Sequence, residues 1–263
     1  MSKNKIRLTA VNYLNTKPFI YGLIQEGMEE ELEMHKDIPA VCADKLINDE
    51  VDIALIPVAA LTNLKSHFIV SDYCIGCDGA VKTVCLYSKS PIQDVKRIYL
   101  DVHSRTSVAL TKILINEYWK KESMDYKPIY EIENAVMDDD SAILAIGDKT
   151  IGLESKYKHV YDLGIAWKDM TGLPFVFAAW VSNKKLDAQF LKRFNQALAA
   201  GLAHIPELLF ILPEQDKGFD LKTYFEKYIS YDLNEKKKQA LRLFMSKLNH
   251  SNASEDVLQP VFA

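Results

Sequence analysis

Short, unbroken apolar runs alternate along this chain with longer stretches whose apolar residues recur at helical spacing. A brief apolar run bounded by turn residues reads as a buried strand, whereas recurrence at i, i+3, i+4 and i+7 marks one face of a helix. By that rule residues 6–11, 53–56, 97–100, 142–146, 159–162 and 175–181 are strands, with β-rich runs at 68–75 and 81–87. Shorter strands are expected near Leu32 and at 128–132. Thr16 precedes a helix with Pro18 in its first turn, where the missing N–H costs nothing. Further helices are predicted at 39–48, 58–64 and 105–120, the last with Leu110, Ile113, Leu114 and Tyr118 on one face. Everything beyond Leu186 reads as helical, most clearly where Leu241, Phe244, Met245 and Leu248 form one stripe.

Alternating β and α elements predict an α/β fold of mainly parallel sheets covered by helices. The chain has 263 residues, and single cores stop growing at roughly 250–300, so two units of structure are expected. The formal net charge of −4 argues against general binding to nucleic acid or an anionic membrane, which needs surplus Lys and Arg. A charged tip running into a short apolar stretch, soon broken by Asn12, Asn15, Lys17 and Pro18, is not a secretory leader. With no apolar run long enough to span a bilayer, a cytoplasmic protein is expected. Neither composition nor spacing fixes an oligomeric state.

Cys74 and Cys77 form a CxxC pair. Such a pair is redox-active at a helix start or half of a zinc site, but this one sits in a strand-like run with no second ligand pair. It is read as reduced thiols packed as small hydrophobes, and no metal is expected. GxGxxG, Walker, HExxH and GxSxG signatures are all absent. Any catalysis is therefore expected to proceed without a cofactor.

Ligands of open α/β sheets bind beyond the carboxyl ends of strands. Four such ends carry polar or small residues: 12–16 after the first strand, Pro57-Val58-Ala59, Ser104-Arg105-Thr106-Ser107, and Gly147-Asp148. The second last of these joins three hydroxyls and a guanidinium to the free N–H groups of a helix start, a combination suited to a carboxylate. A helix N-terminus contributes about 0.3–1 kcal/mol to an exposed anion and up to about 2 when partly buried. The residues themselves are equally compatible with Ser104 serving only as a helix cap. Asp148 likewise reads as a cap or a ligand contact, and His103 as a proton shuttle or a structural side chain.

Six segments in order carry a resemblance: YLNTKPF at 13–19, VDIALIPVAAL at 51–61, IGCDGAVKTVCLYSK at 75–89, HSRTSVAL at 103–110, AIGD at 145–148 and YDLGIAWKDMTGLPFVFAAW at 161–180. Together they resemble chorismate dehydratases of the futalosine route to menaquinone, over roughly 6–181 and weakly in the tail. The resemblance implies a two-lobed, type 2 periplasmic-binding-protein-like fold. Each lobe would hold a mixed, mainly parallel sheet flanked by helices, with the ligand cleft between them. Polar stretches at 87–91 and 181–184 would then be the crossings, giving one lobe from 1–87 and 181–263 and an inserted lobe from 88–180.

The resemblance also implies a carbon–oxygen hydro-lyase converting chorismate, a dicarboxylate, to 3-[(1-carboxyvinyl)oxy]benzoate and water. The family's YLN asparagine falls on Asn15, placed at the reacting centre with Thr83, where relatives often have serine. Ser104, Thr106 and Ser107 match the residues expected to take a substrate carboxylate, with Arg105, Pro57, Gly147 and Asp148 beside them. Neither composition nor motif absence rules out a non-catalytic solute-binding protein of the same fold. A cytosolic ligand sensor also remains open. The sibling naphthoate-forming enzyme fits less well, because its family opens with SPCPNDTF-like residues rather than YLNTKPF.

Overall fold

The computed structural model describes residues 5–215, 218–252 and 260–263, with backbone only at 249–252. The chain opens with β1 (Ile6–Val11), helix α1 (Lys17–Gln25), β2 (Leu32–Asp37), α2 (Pro39–Ile47), β3 (Ile53–Pro57) and β4 (Phe68–Cys77). A second series follows: β5 (Val84–Ser88), β6 (Arg97–Asp101), α3 (Arg105–Glu117), β7 (Asp125–Ile129), β8 (Ser141–Ile146), β9 (His159–Asp162) and α4 (Leu163–Thr171). Then β10 (Phe175–Ser182) leads into α5 (Ala188–Ala203) and α6 (Ile205–Ile211). A single turn, α7 (Leu221–Thr223), runs into a π-helical turn at Tyr224–Tyr228, and β11 (Ser230–Asp232) and α8 (Glu235–Asn252) follow.

Two sheets result, one ordered β11-β4-β10-β3-β1-β2 and the other β7-β6-β8-β5-β9. In the first, β2, β1 and β3 run parallel while β10 lies antiparallel between β3 and β4. In the second, β7, β6 and β8 run parallel and β5 is antiparallel to both its neighbours. The central strands β3 and β8 are buried at every residue, which is why they read as continuous apolar runs rather than alternating ones.

The second crossing differs from the sequence reading, and so does the first. β5 is wholly buried and pairs on both sides within the second sheet, so 1–87 is not one unit. The polar stretch after it is a turn, closed by the Ser88 hydroxyl donating to Ser90 O at 2.6 Å. β10 pairs along its length with β3 and β4, so residues 175–180 belong with the first sheet. By strand membership the chain crosses at 78–83 and 172–174. Gly79 and Gly172, at φ 105° and 73°, supply backbone conformations there that a side chain would strain.

Smaller differences have local causes. β5 starts at Val84 rather than 81 because Val81 and Lys82 give their N–H groups to a side chain instead of a strand. β7 lies three residues earlier than the apolar run suggested, its register set by pairing with β6. α3 stops at Glu117, with Tyr118 as its C-cap. The tail is not all helix, since β11 pairs with the outer edge of β4. The α8 stripe is as read: Leu241, Phe244, Met245 and Leu248 are all buried. So are Cys74 and Cys77, neither in a disulfide. Burial pushes the Cys74 thiol up to about 11 and Cys77 higher still, so both stay protonated.

Two features hold the first sheet in register. Gly22 and Gly201 let α1 and α5 touch backbone to backbone: a Cβ on either would lie 2.0 Å from a carbonyl oxygen. Asp52, just before β3, accepts from Arg7 N at 2.8 Å, from Arg7 Nη2 at 3.1 Å and from Lys184 Nζ at 2.5 Å. One carboxylate thus ties β1, β3 and the end of β10. Burial opposes its charge, but the hydrogen bonds from Arg7 and Lys184 outweigh that and bring its pKa down to about 2. A depressed carboxyl stabilises the fold above its unfolded pKa and loses that contribution as pH falls through the folded value. The contribution of Asp52, about 1–2 kcal/mol given partly exposed partners, is therefore lost between about pH 4 and 2. Asp52→Asn is expected to be less stable than the parent at pH 7 and to converge with it towards pH 2. Urea titrations across that range check this, and a stability gap that is constant with pH would contradict it.

Candidate functional site

The carboxyl ends of β1, β3, β6 and β8 meet in one place, although they come from two sheets. A cavity of about 60 Å³ lies there, lined by Tyr13 and Asn15 after β1, Pro57 at the end of β3, Ser104, Thr106 and Ser107 after β6, and Gly147 after β8. Thr83, fully buried at the end of the first crossing, completes the polar lining, and Phe177, Ile146 and Leu55 supply apolar walls. No lining residue carries a formal charge. A groove of about 720 Å³ lies elsewhere, against Tyr118, Trp119, Tyr161 and Phe219, but none of the four strand ends opens into it. The convergence of strand ends singles out the smaller cavity.

Each lining group is held by its local structure. Ser104 is the N-cap position of α3, yet its side chain makes no capping hydrogen bond. It lines the cavity without capping the helix. The Thr106 hydroxyl accepts from Ala59 N at 3.1 Å, tying α3 to the turn after β3 on the opposite sheet. Gly147 needs its φ of 62°, and the ring of Tyr13 rests where a Cβ would be, 3.0 Å away. Its N–H donates to Thr83 O at 2.8 Å. Burial pushes the Tyr13 phenol well above its ordinary value, so it keeps its proton.

Two expected site residues lie outside the lining. Arg105 turns away to pair with Asp44 of α2 at 2.5 Å, because the first helical position of α3 projects beside the mouth rather than into it. Asp148 accepts from Leu14 N, both oxygens at 3.2 Å, so its carboxylate clasps the turn after β1. Burial raises its pKa, offset by that N–H and by Lys17. Both contacts cross from one sheet's side to the other, so these residues hold the cleft shut instead of lining it. Lys17 reaches Asn12, at 3.4 Å, and His103 sits against the Tyr130 ring.

Residues with no sequence signal also matter. The Asp162 carboxylate accepts four backbone N–H groups: Val81 and Lys82 at 2.9 and 2.8 Å, Gly164 and Ile165 at 2.9 and 3.2 Å. Burial pushes its pKa up while the four donors pull it back. It caps α4 and pins the crossing that presents Thr83. Tyr224 in the tail shares a 3.0 Å hydrogen bond with Thr83 Oγ1, and Tyr231 OH donates to Asn15 O at 3.0 Å. Nothing in the tail's tyrosine-rich sequence points to these contacts. They depend on how the π-helical turn and β11 return to the cleft.

The arrangement defines a class: a two-lobed α/β protein of periplasmic-binding-protein-like fold, with a cavity between its sheets. In shape it is similar to a Candida albicans protein described as having the generic periplasmic binding protein structural fold, with a TM-score of 0.67 and 11% identity, covering 97% of this chain and 92% of that one. In sequence, residues 6–250 match the family model described as menaquinone biosynthesis, and the chain belongs to that family. It is similar to the chorismate dehydratase of Thermus thermophilus, 28% identical over 219 residues that cover 74% of this chain and 77% of the relative. It is also similar to that of Campylobacter jejuni subsp. jejuni, 26% identical over 245 residues, covering 89% and 94%. The match takes in the tail, beyond the segments that carry the resemblance in the sequence. No helix among the described residues is long and apolar enough to cross a membrane.

Removing the Asp162 carboxylate leaves four N–H groups without their acceptor, at about 1–3 kcal/mol for each that stays buried and unpaired. Asp162→Ala is expected to speed amide exchange at Val81 and Lys82 by about tenfold or more, while Leu86 within β5 stays protected. Hydrogen exchange read by NMR checks this, and unchanged protection at Val81 and Lys82 would remove Asp162 from its role.

Proposed function

We propose that this protein is a chorismate dehydratase of the cytoplasm, forming 3-[(1-carboxyvinyl)oxy]benzoate and water without a cofactor. The observation that carries the reading is the lining itself: hydroxyls and an amide gathered in a cavity with no charged side chain. A reaction at such a site must bring its own base. Chorismate has one, the enolpyruvyl carboxylate, close to the ring carbon whose proton must leave. We assign that carboxylate the proton abstraction. The neighbouring ring C–O bond then breaks, and the departing hydroxyl takes up the proton as water. Aromatisation makes the overall step strongly downhill, so positioning and one proton transfer suffice.

Roles follow from placement. Asn15 and Thr83 orient the reacting groups as hydrogen-bond partners, neither being a competent base near neutral pH. Ser104, Ser107 and the N–H groups opening α3 take the ring carboxylate. Pro57 and Gly147 shape the walls, and Arg105 and Asp148 close the cleft from outside. The names of the similar proteins and the family match support this reading. A solute-binding reading draws on the fold alone.

A cavity of about 60 Å³ has room for only a few water molecules. Entry of a ring dicarboxylate therefore requires the sheets to part, with the Asp44–Arg105 and Leu14–Asp148 contacts broken and remade. Free protein is expected to scatter X-rays as a more extended particle than ligand-bound protein, and superposable curves would count against closure. Mixing the purified protein with chorismate is expected to produce an aromatic ultraviolet band. Its absence would refute the reaction. Losing one preorganised donor costs about 10²–10³ in rate, and Asn15→Leu and Thr83→Val are each expected to lose turnover on that scale. Near-normal rates in both would remove the assigned roles.

A further inference from the structure

Tyr224 stands in a part of the chain to which the proposed reaction assigns no role. It is fully buried, with no exposed surface, and lies in the π-helical turn Tyr224–Tyr228. An extra residue in one helical turn re-aims a side chain, and such turns recur at functional sites. Here it aims a phenol from the tail at the back of the cleft.

The phenol meets the Thr83 hydroxyl there, its oxygen 3.0 Å from Thr83 Oγ1. Thr83 precedes β5 of the second sheet, whereas the π-helical turn leads into β11 of the first, so the contact joins the two sheets' elements.

We propose that Tyr224 is a positioning residue that turns the Thr83 hydroxyl proton towards the cavity. Direction follows from counting donors and acceptors. Among the described residues the Thr83 hydroxyl is the hydrogen-bond partner of the buried phenol. Burial raises the phenol's pKa and keeps its proton in place, available for donation to Thr83 Oγ1. Thr83 then has its acceptor site filled by a protein donor. Its own proton finds only a long contact to Val81 O at 3.4 Å. A ligand oxygen in the cavity is the better acceptor. In the reaction proposed above, on which this role rests, that oxygen is the departing hydroxyl, and a donor there lowers the barrier to C–O cleavage.

Tyr231 steadies the same arrangement from β11 by donating to Asn15 O at 3.0 Å. The two tail tyrosines therefore hold the Thr83 hydroxyl and the Asn15 backbone.

The test is a double-mutant cycle with chorismate as substrate. Tyr224→Phe keeps the ring and removes the hydroxyl, and is expected to lower kcat about tenfold with KM within about twofold, the size of one hydrogen bond. In a Thr83→Val background the same change is expected to cost less than about twofold. A kcat within twofold of the parent, or a full tenfold loss in both backgrounds, would overturn the positioning role. Wild-type protein that leaves chorismate unchanged would instead sink the reaction reading. The hydrogen bond is read separately in ligand-free wild-type protein by NMR. There a slowly exchanging Tyr224 hydroxyl proton with a cross-peak to the Thr83 methyl is expected, and its absence overturns the link whatever the kinetics or the folding of the variants.

Discussion

The Asp162 carboxylate is the point on which the cleft turns. A chain passing from one sheet to another must leave its ladder, and each freed backbone N–H then needs another acceptor or a place in water. At the first crossing two of those N–H groups find one oxygen of Asp162, and the first turn of α4 finds the other. The crossing is thereby fixed to β9 and α4 rather than left as a loose connection. Thr83 follows directly, and Gly147 reaches back to its carbonyl. The polar floor of the cavity is thus a by-product of satisfying buried backbone.

Around that floor, each sheet contributes strand ends and the opposite sheet contributes closure. Thr106 meets Ala59, Asp148 meets Leu14, Arg105 meets Asp44 and Lys247 of α8 meets Glu117 of α3. All four pairs join elements packed on different sheets. Partly exposed pairs of this kind contribute little each. That suits the opening proposed above, in which such contacts break and re-form while buried apolar strands keep each half intact.

Much of this was legible in the sequence, for reasons that differ by residue. The strands β3 and β8 announced themselves because burial on both faces leaves no polar position. Asn15, Pro57, Ser104, Thr106, Ser107 and Gly147 could be picked out because strand ends are where polar or small residues interrupt apolar runs, whereas Thr83, which precedes a strand, came only from the family resemblance; all seven line the cavity. Arg105 and Asp148 lie outside the lining because sequence fixes which residue follows a strand but not which way its side chain leaves the backbone. The crossings were misread because a polar turn within a sheet and a polar link between sheets have the same composition. Tyr224 gave no signal, and Asp162, although inside a segment that carries the resemblance, gave none of its reach to the crossing. Their distant partners lie 81 and 141 residues away in the chain, and no local pattern encodes such a separation.

For the acid proposed above, a cavity whose walls carry hydroxyls, an amide and a helix start, but no formal charge, has a consequence for how that anion would be chosen. Fixed dipoles a few ångströms from a ligand are screened by dissolved ions far less than charges at a surface. Long-range steering towards such a pocket is weak as well, since the molecule as a whole is negative. Selection must then occur after encounter, through shape and hydrogen-bond fit. The cleft would discriminate among small acids by geometry, with little sensitivity to the ionic strength around it.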